Sequence, residues 1–274
     1  MKLAILDYPT ASYGNNWTLD GFLTIIEKLS EENYNLIACP EWGLFFRDSN
    51  HPRITTTSEK SDLVEVLCDF SKGKTQLILP GSMMWLANDT DVYNTVPIIG
   101  DGKYLGDYHK YIDGGSTNAV LQGMRREPGL SQRKGFGWKP GNEKGKYFRW
   151  NNLDCGIEIC ADTNSYRNLR KNMLIPKLDL QFLISCGMPL IPANTKLKRG
   201  GIGIGIDGHY PIQNYNFTKK PLKQFRLIRR NPNFFRFLDL DLKYQNIESY
   251  EIEPLTVSKK GDLGVYVHKF EVKI

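Results

Sequence analysis

Hydrophobic positions along the 274-residue chain repeat with two different periods that take turns. Residues 2–6, 34–39, 76–80 and 179–186 are short apolar runs, the pattern of strands buried on both faces of a sheet. Between them the spacing turns helical. Leu19, Phe22, Leu23, Ile25, Ile26 and Leu29 share one face of a helix over 17–29, and Leu63, Val66, Leu67 and Phe70 do so over 57–70, where Lys72-Gly73-Lys74 ends the element. Segments 92–99 and 103–108 predict a hairpin turning at Gly100-Asp101-Gly102, and 146–150 with 153–159 a second one. A further helix is expected over 166–173, with Asp162, Thr163, Asn164 and Ser165 offering N-cap side chains. The alternating tail LGVYVHKFEVKI, residues 263–274, closes a sheet.

Residues 112–142 lack either period. Gly, Arg, Lys and Gln accumulate there, and an irregular stretch of that length inside a domain ordinarily covers a site. The recurring strand-helix-strand order predicts an α/β fold. With no fixed-period repeat and no low-complexity linker, 1–274 is expected to be one domain.

Composition narrows the class. A hydrophobic fraction of 41% suits a globular core, and no run of 18 apolar residues suggests a membrane span or a signal peptide, so a soluble cytosolic protein is expected. The five cysteines show no C-x-x-C spacing, which predicts reduced thiols and no metal site. The net charge of +6 is modest for a nucleic-acid binder. Ten basic residues against the single acid Asp207 give residues 196–236 a net charge of +9, interleaved with aromatics. A solvated basic face around a strand layer is the expected reading, and nucleic acid is not an expected partner. In the same region Gly203, Gly205 and Gly208 formally satisfy G-x-G-x-x-G. Ile202, Ile204 and Ile206 alternate with them and Pro211 follows, which predicts a strand and no dinucleotide cofactor.

Three residue types with chemical capacity fall at predicted strand ends. Glu41 follows the run that Pro40 stops, Lys110 lies at the far end of the first hairpin, and Cys160 ends the strand LDCGIEI. A cysteine at a strand-to-helix junction sits near unpaired N–H groups, an environment suited to a nucleophilic thiolate. By alternation Glu158 is expected on the same face as Cys160, lining the site.

Ala38-Cys39-Pro40-Glu41, Tyr108-His109-Lys110 and Gly156-Ile157-Glu158-Ile159-Cys160-Ala161-Asp162 resemble, in order and separation, the signature blocks of the carbon–nitrogen hydrolase (nitrilase) superfamily. Pro140-Gly141 is similar to that family's loop-to-strand turn, and G-I-E-I-C-x-D is locally similar to the glutaminase domains of NAD synthetases. The resemblance spans roughly residues 1–190. It implies a four-layer α-β-β-α sandwich and a Glu-Lys-Cys set with Glu41 as general base, Lys110 as oxyanion stabiliser and Cys160 as nucleophile. A small-molecule amide substrate, no metal, no cofactor and a homo-oligomer are further implications. Glu127 is preferred over Glu143 as a second acid because it lies upstream of Pro140-Gly141, and Arg126 or Arg133 would engage an acidic substrate. Ala161, through its N–H, Glu158 and Trp138 complete the supporting set. Asp162 is expected to cap the following helix. Beyond Cys186 the chain departs from the family pattern, so the substrate does not follow from the resemblance.

Overall fold

The computed structural model describes residues 1–7, 19–44, 47–48, 51–52, 54–113, 115, 117, 121, 136–142, 147–164, 177–186, 188, 190, 195–208, 225–230, 237–239, 248–252 and 265–271. In chain order the first half holds β1 (Lys2–Asp7), α1 (Leu19–Glu31), β2 (Leu36–Ala38), the two-residue strands β3 (Arg47–Asp48) and β4 (His51–Pro52), α2 (Thr57–Ser71), β5 (Leu77–Leu79), β6 (Met83–Leu86), β7 (Asp91–Gly100), β8 (Lys103–His109) and β9 (Gly137–Trp138). The second half holds β10 (Tyr147–Trp150), β11 (Leu153–Ile159), a 3-10 turn over Cys160–Asn164, β12 (Leu178–Cys186), β13 (Leu197–Gly208), β14 (Phe225–Arg230), β15 (Phe237–Asp239), β16 (Glu248–Ile252) and β17 (Val265–Glu271).

Two sheets account for most of these strands. The first runs β16-β17-β1-β2-β5-β7-β6, with β8 and β9 also on β7; β1, β2 and β5 are parallel. The second runs β10-β11-β12-β13-β14-β15, with β11, β12 and β13 parallel. The expected tail strand pairs β1 over its full length, Lys2 opposite Glu271. Both hairpins form. Asp101 and Gly102 turn the first at φ 54° and 76°, and Asn151 and Asn152 the second at 47° and 60°, the left-handed pair that a two-residue hairpin turn requires. β6, Met83 to Leu86, is not among the expected strands: it follows the run 76–80 directly after Pro80-Gly81, and its antiparallel pairing with β7 is what makes it a strand.

Pleating explains why the central runs are continuously apolar. Leu3, Ile5, Leu36, Ala38, Leu77 and Leu79 face Cys155, Ile157, Ile159, Leu180, Phe182, Ile184 and the isoleucines of β13 in one buried cluster, so the two sheets pack face to face. Ala4, Leu6, Ile37, Cys39 and Ile78 point the other way, onto Phe22, Ile26 and Leu29 of α1 and Leu63 and Leu67 of α2. The layer order across the described residues is therefore helix, sheet, sheet. The helix expected over 166–173 lies outside the described residues. A capping box starts α2: Thr56 accepts from the Glu59 N–H while the Glu59 carboxylate accepts from Thr56 N–H.

The glycine-rich tract is a strand, as its alternation predicts. Gly203 and Gly205 stand opposite Gln181 and Leu183 on one side and Ile228 and Arg226 on the other, while Ile202, Ile204 and Ile206 fill the intersheet core. Lys198, from the basic segment, pairs with Asp154 and Asp179 at 2.8 Å each. Most other side chains of the basic segment lie outside the described residues. Among the described residues, no helix is long and apolar enough to cross a membrane.

Candidate active site

Glu41 is the third residue past β2, at the carboxyl end of a parallel strand, and several groups fix its loop. Its N–H donates to Ser185 O (3.3 Å), the Trp42 N–H to Ser82 Oγ (3.0 Å), and Gly43 N–H back to Pro40 O (3.1 Å). Trp42 takes a left-handed φ of 68°, which turns the chain sharply at this point. Gly81 presses against the same loop: a Cβ there would stand 2.5 Å from Pro40 O.

Lys110 follows β8. Strand alternation buries Tyr108 in the intersheet core, sends His109 to the opposite face, where it stacks on Trp85, and returns Lys110 to the interior. The Lys110 N–H donates to Asn94 O (2.8 Å) and its carbonyl accepts from Gly141 N–H (2.8 Å). The turn at Pro140-Gly141 thus gains a physical reason. A Cβ on Gly141 would lie 2.1 Å from His109 O, so only glycine lets this segment close on the backbone that carries Lys110. Gly141→Ala is expected to cost about 1–3 kcal/mol through this overpacking; thermal unfolding at the parental temperature would show that the approach is not tight.

Cys160 directly follows β11 in a left-handed conformation, φ 48°, unusual for a residue with a side chain. That reversal breaks the strand alternation. Cys160 packs against the intersheet cluster beside Ile157 and Ile159, and its thiol points at Cys186 O (4.0 Å). Glu158 faces the opposite way, fully buried, accepting from Gln181 Nε2 (3.1 Å), so the expectation that it shares a face with Cys160 is corrected. The alternation rule fails there because the turn starts one residue sooner than the letters suggest.

Asp162 does more than the sequence suggests: its carboxylate accepts from Tyr108 Oη (2.5 Å), Tyr111 N–H (3.1 Å) and Ile112 N–H (2.6 Å), while the helix it was expected to cap lies outside the described residues. It straps the turn bearing Cys160 to the segment bearing Lys110. This role and the part played by Asn94 were missed from sequence; a polar residue inside an apolar strand, as in VYNTVPII, is the signal that points to Asn94.

The structure brings Glu41, Lys110 and Cys160 together from three strand ends. Lys110 Nζ lies 2.7 Å from Glu41 Oε1, and both side chains are essentially inaccessible to water. Burial opposes the ammonium, yet the Glu41 carboxylate, followed by Cys160 and Asp162, outweighs it and holds the Lys110 pKa above its ordinary value. Burial, reinforced by the Glu41 charge and only partly offset by Lys110, pushes the Cys160 thiol up to about 12. The thiol therefore keeps its proton at neutral pH, beside the buried Glu41–Lys110 ion pair.

Of the other candidates, Ala161 is buried directly after Cys160. Trp138 stands on β9 opposite Val92, half-buried in a cluster with Trp42, Met84, Leu121 and Phe136, and Cys186 packs on the same cluster. Among the described residues, Trp138 Nε1 has no hydrogen-bond partner. Glu127, Glu143, Arg126 and Arg133 lie outside the described residues. Among the described residues no group of three or more His, Cys, Asp or Glu side chains gathers as a metal site. All five cysteines are free thiols.

No family model and no curated protein sequence matches this chain. Solved structures do. An amidase from Nesterenkonia sp. AN1 superposes with a TM-score of 0.53 at 12% identity, over 100% of this chain and 93% of that one. A carbon–nitrogen hydrolase superfamily protein from Xanthomonas campestris, with an arsenic adduct in its active site, superposes with a TM-score of 0.50 at 14% identity, over 76% of each chain. A variant of the Nesterenkonia amidase, with a TM-score of 0.51 at 12% identity over 100% of this chain and 93% of that one, carries acrylamide added to its active-site cysteine. The chain thus shares the fold of these solved structures, two sheets packed face to face with helices against the outer face of the first.

Proposed function

We propose that this protein is a carbon–nitrogen hydrolase of the nitrilase superfamily that cleaves a non-peptide C–N bond, an amide, through a thioester on Cys160. The observation that carries this reading is the buried Glu41–Lys110 pair set against a thiol held in a strained strand-end turn. A thiol pushed up to about 12 is no nucleophile at neutral pH unless its proton has somewhere to go during attack. Glu41 is the base within reach. As Sγ bonds to the amide carbon, the thiol proton passes to the Glu41 carboxylate, and the carbonyl oxygen becomes an anion that Lys110 and the Ala161 N–H hold. Glu41 returns the proton to the nitrogen as the C–N bond breaks, releasing ammonia or an amine. Water then gives a proton to Glu41 and its oxygen to the thioester carbon. The C–S bond breaks, an acid leaves, and the proton goes back to sulfur.

The same reading takes residues 1–274 as one domain in a four-layer α-β-β-α sandwich. The β1–β17 pairing, which joins the two ends of the chain, supports it. It takes Glu127 as the second acid, Trp138 as part of an apolar wall near the site, a homo-oligomer as the assembly, and the reducing cytosol as the compartment, which five free thiols support.

Ammonia or amine release over a panel of short aliphatic amides, glutamine and asparagine, N-carbamoyl amino acids and nitriles tests the proposal, with mass spectrometry of the Cys160 peptide for an acyl adduct. Cys160→Ala is expected to lose turnover by at least about a thousandfold. Equal rates for the two proteins would overturn the mechanism, and the product's mass separates hydrolysis from acyl transfer.

A further inference from the structure

Two hydrogen-bond donors converge on one oxygen of Glu41. Lys110 Nζ is 2.7 Å from Oε1 and Asn94 Nδ2 is 3.1 Å from the same atom. The amide orientation follows from chemistry, because an ionised carboxylate only accepts and the group facing it must be the NH2. Oε2, by contrast, is buried with no hydrogen-bond partner among the described residues. The carboxylate is thus loaded on one side. A carboxylate oxygen stripped of donors is the more basic of the two, since each hydrogen bond to the charged form stabilises it against protonation.

Asn94 also holds the lysine. Its own carbonyl accepts the Lys110 N–H at 2.8 Å, so one residue of β7 grips the backbone of Lys110 and the side chain of Glu41. Its position is otherwise an apolar one. Val92, Val96 and Ile98 share its face of β7 and are buried, as Asn94 is. Asn94 Oδ1 is buried there with no partner among the described residues, which burdens stability. An aliphatic residue of equal size would relieve that burden and fill the stripe, so the amide is not explained by packing.

We infer that Asn94 is a positioning residue that, together with Lys110, occupies Glu41 Oε1 and so reserves Oε2 as the atom that takes the Cys160 proton. This rests on the hydrolase reading of the site. Loss of the amide N–H frees the Glu41 side chain to rotate, and it removes one interaction that favours the ionised carboxylate.

The test uses the panel amide turned over fastest by the parent, with Asn94→Leu and Asn94→Asp compared to the parent, Glu41→Gln and Cys160→Ala. Leucine keeps the side-chain volume and removes both polar atoms; aspartate keeps the shape but faces Glu41 with a second acceptor. Asn94→Leu is expected to lower kcat about 10- to 100-fold with KM within about threefold. The acid limb of kcat/KM should move up by about 0.5 to 1 pH unit, and further in Asn94→Asp, while the melting temperature of the leucine variant stays level or rises. A merely structural role would instead lower the melting temperature and leave the acid limb in place, and that result overturns the inference. If Glu41→Gln and Cys160→Ala are inactive while both Asn94 variants keep parental kcat and pH profile, the inference alone falls. If Glu41→Gln or Cys160→Ala matches the parent, or the parent turns over no amide, the hydrolase reading falls and takes the inference with it.

Discussion

Lys110→Met is expected to destabilise the protein by about 3–5 kcal/mol at neutral pH, measured as a shift in denaturant midpoint. Methionine fills the space of the lysine stem, so the loss comes from charge. Glu41 is buried, its Oε1 would keep only the Asn94 amide, and its Oε2 already has no partner. An unpaired carboxylate in that setting is either paid for in desolvation or protonated, and both cost folding free energy. Adding Glu41→Leu to Lys110→Met should therefore restore most of the stability, because replacing both members of a buried ion pair by apolar groups is often close to neutral. The recovery should fall short by about 1 kcal/mol, since the Asn94 amide then loses its acceptor. Neither variant should turn over substrate. If the double variant is as unstable as the sum of its two single changes, the two groups do not interact as their 2.7 Å separation requires.

A second large effect is expected at alkaline pH. Burial raises three thiols: Cys39 well above its ordinary value, Cys155 to about 12, and Cys160 to about 12. A thiol whose folded-state pKa is raised gives up its proton more readily in the unfolded chain. The unfolded state thus binds fewer protons once the pH passes about 9, and stability falls as pH rises from there toward 12. Lys110, also raised, acts in the same direction above its own ordinary range. At about 1.4 kcal/mol per pH unit, the interval for the fully buried Cys155 is worth up to about 4 kcal/mol. Urea midpoints at pH 7, 9, 10 and 11 should stay level to pH 9 and then drop steeply, and Cys155→Val should flatten the drop. Equal midpoints at pH 7 and pH 11 would show that these thiols ionise freely in the folded protein.

The elements most legible in the sequence are those whose burial is dictated by period. The run 34–39 is apolar at every position because Leu36 and Ala38 face the second sheet while Ile37 and Cys39 face the helices, and a strand covered on both sides leaves no polar place. The same logic made the glycine tract of β13 readable as a strand. Glu41, Lys110 and Cys160 stood out because each follows a strand-ending signal. β6 escaped notice because it sits directly behind the run 76–80 and the Pro80-Gly81 break, and its pairing with β7 is what makes it a strand. Glu158 was assigned to the wrong face because alternation holds only while φ stays extended, and Cys160 departs from that at 48°.

Local chemistry, then, determined where most of the strands and helices lie and which ends carry reactive side chains, while the turn at Gly141 was legible through the family resemblance. The order of strands across two sheets, the convergence of residues 69 and 50 positions apart on one carboxylate each, and the unequal loading of Glu41 were decided by tertiary structure alone. The reason is one of range. Periodicity and capping act over a few residues and are written into neighbouring letters, whereas a buried hydrogen bond between distant segments exists only after the sheets have packed and water has left the space between them.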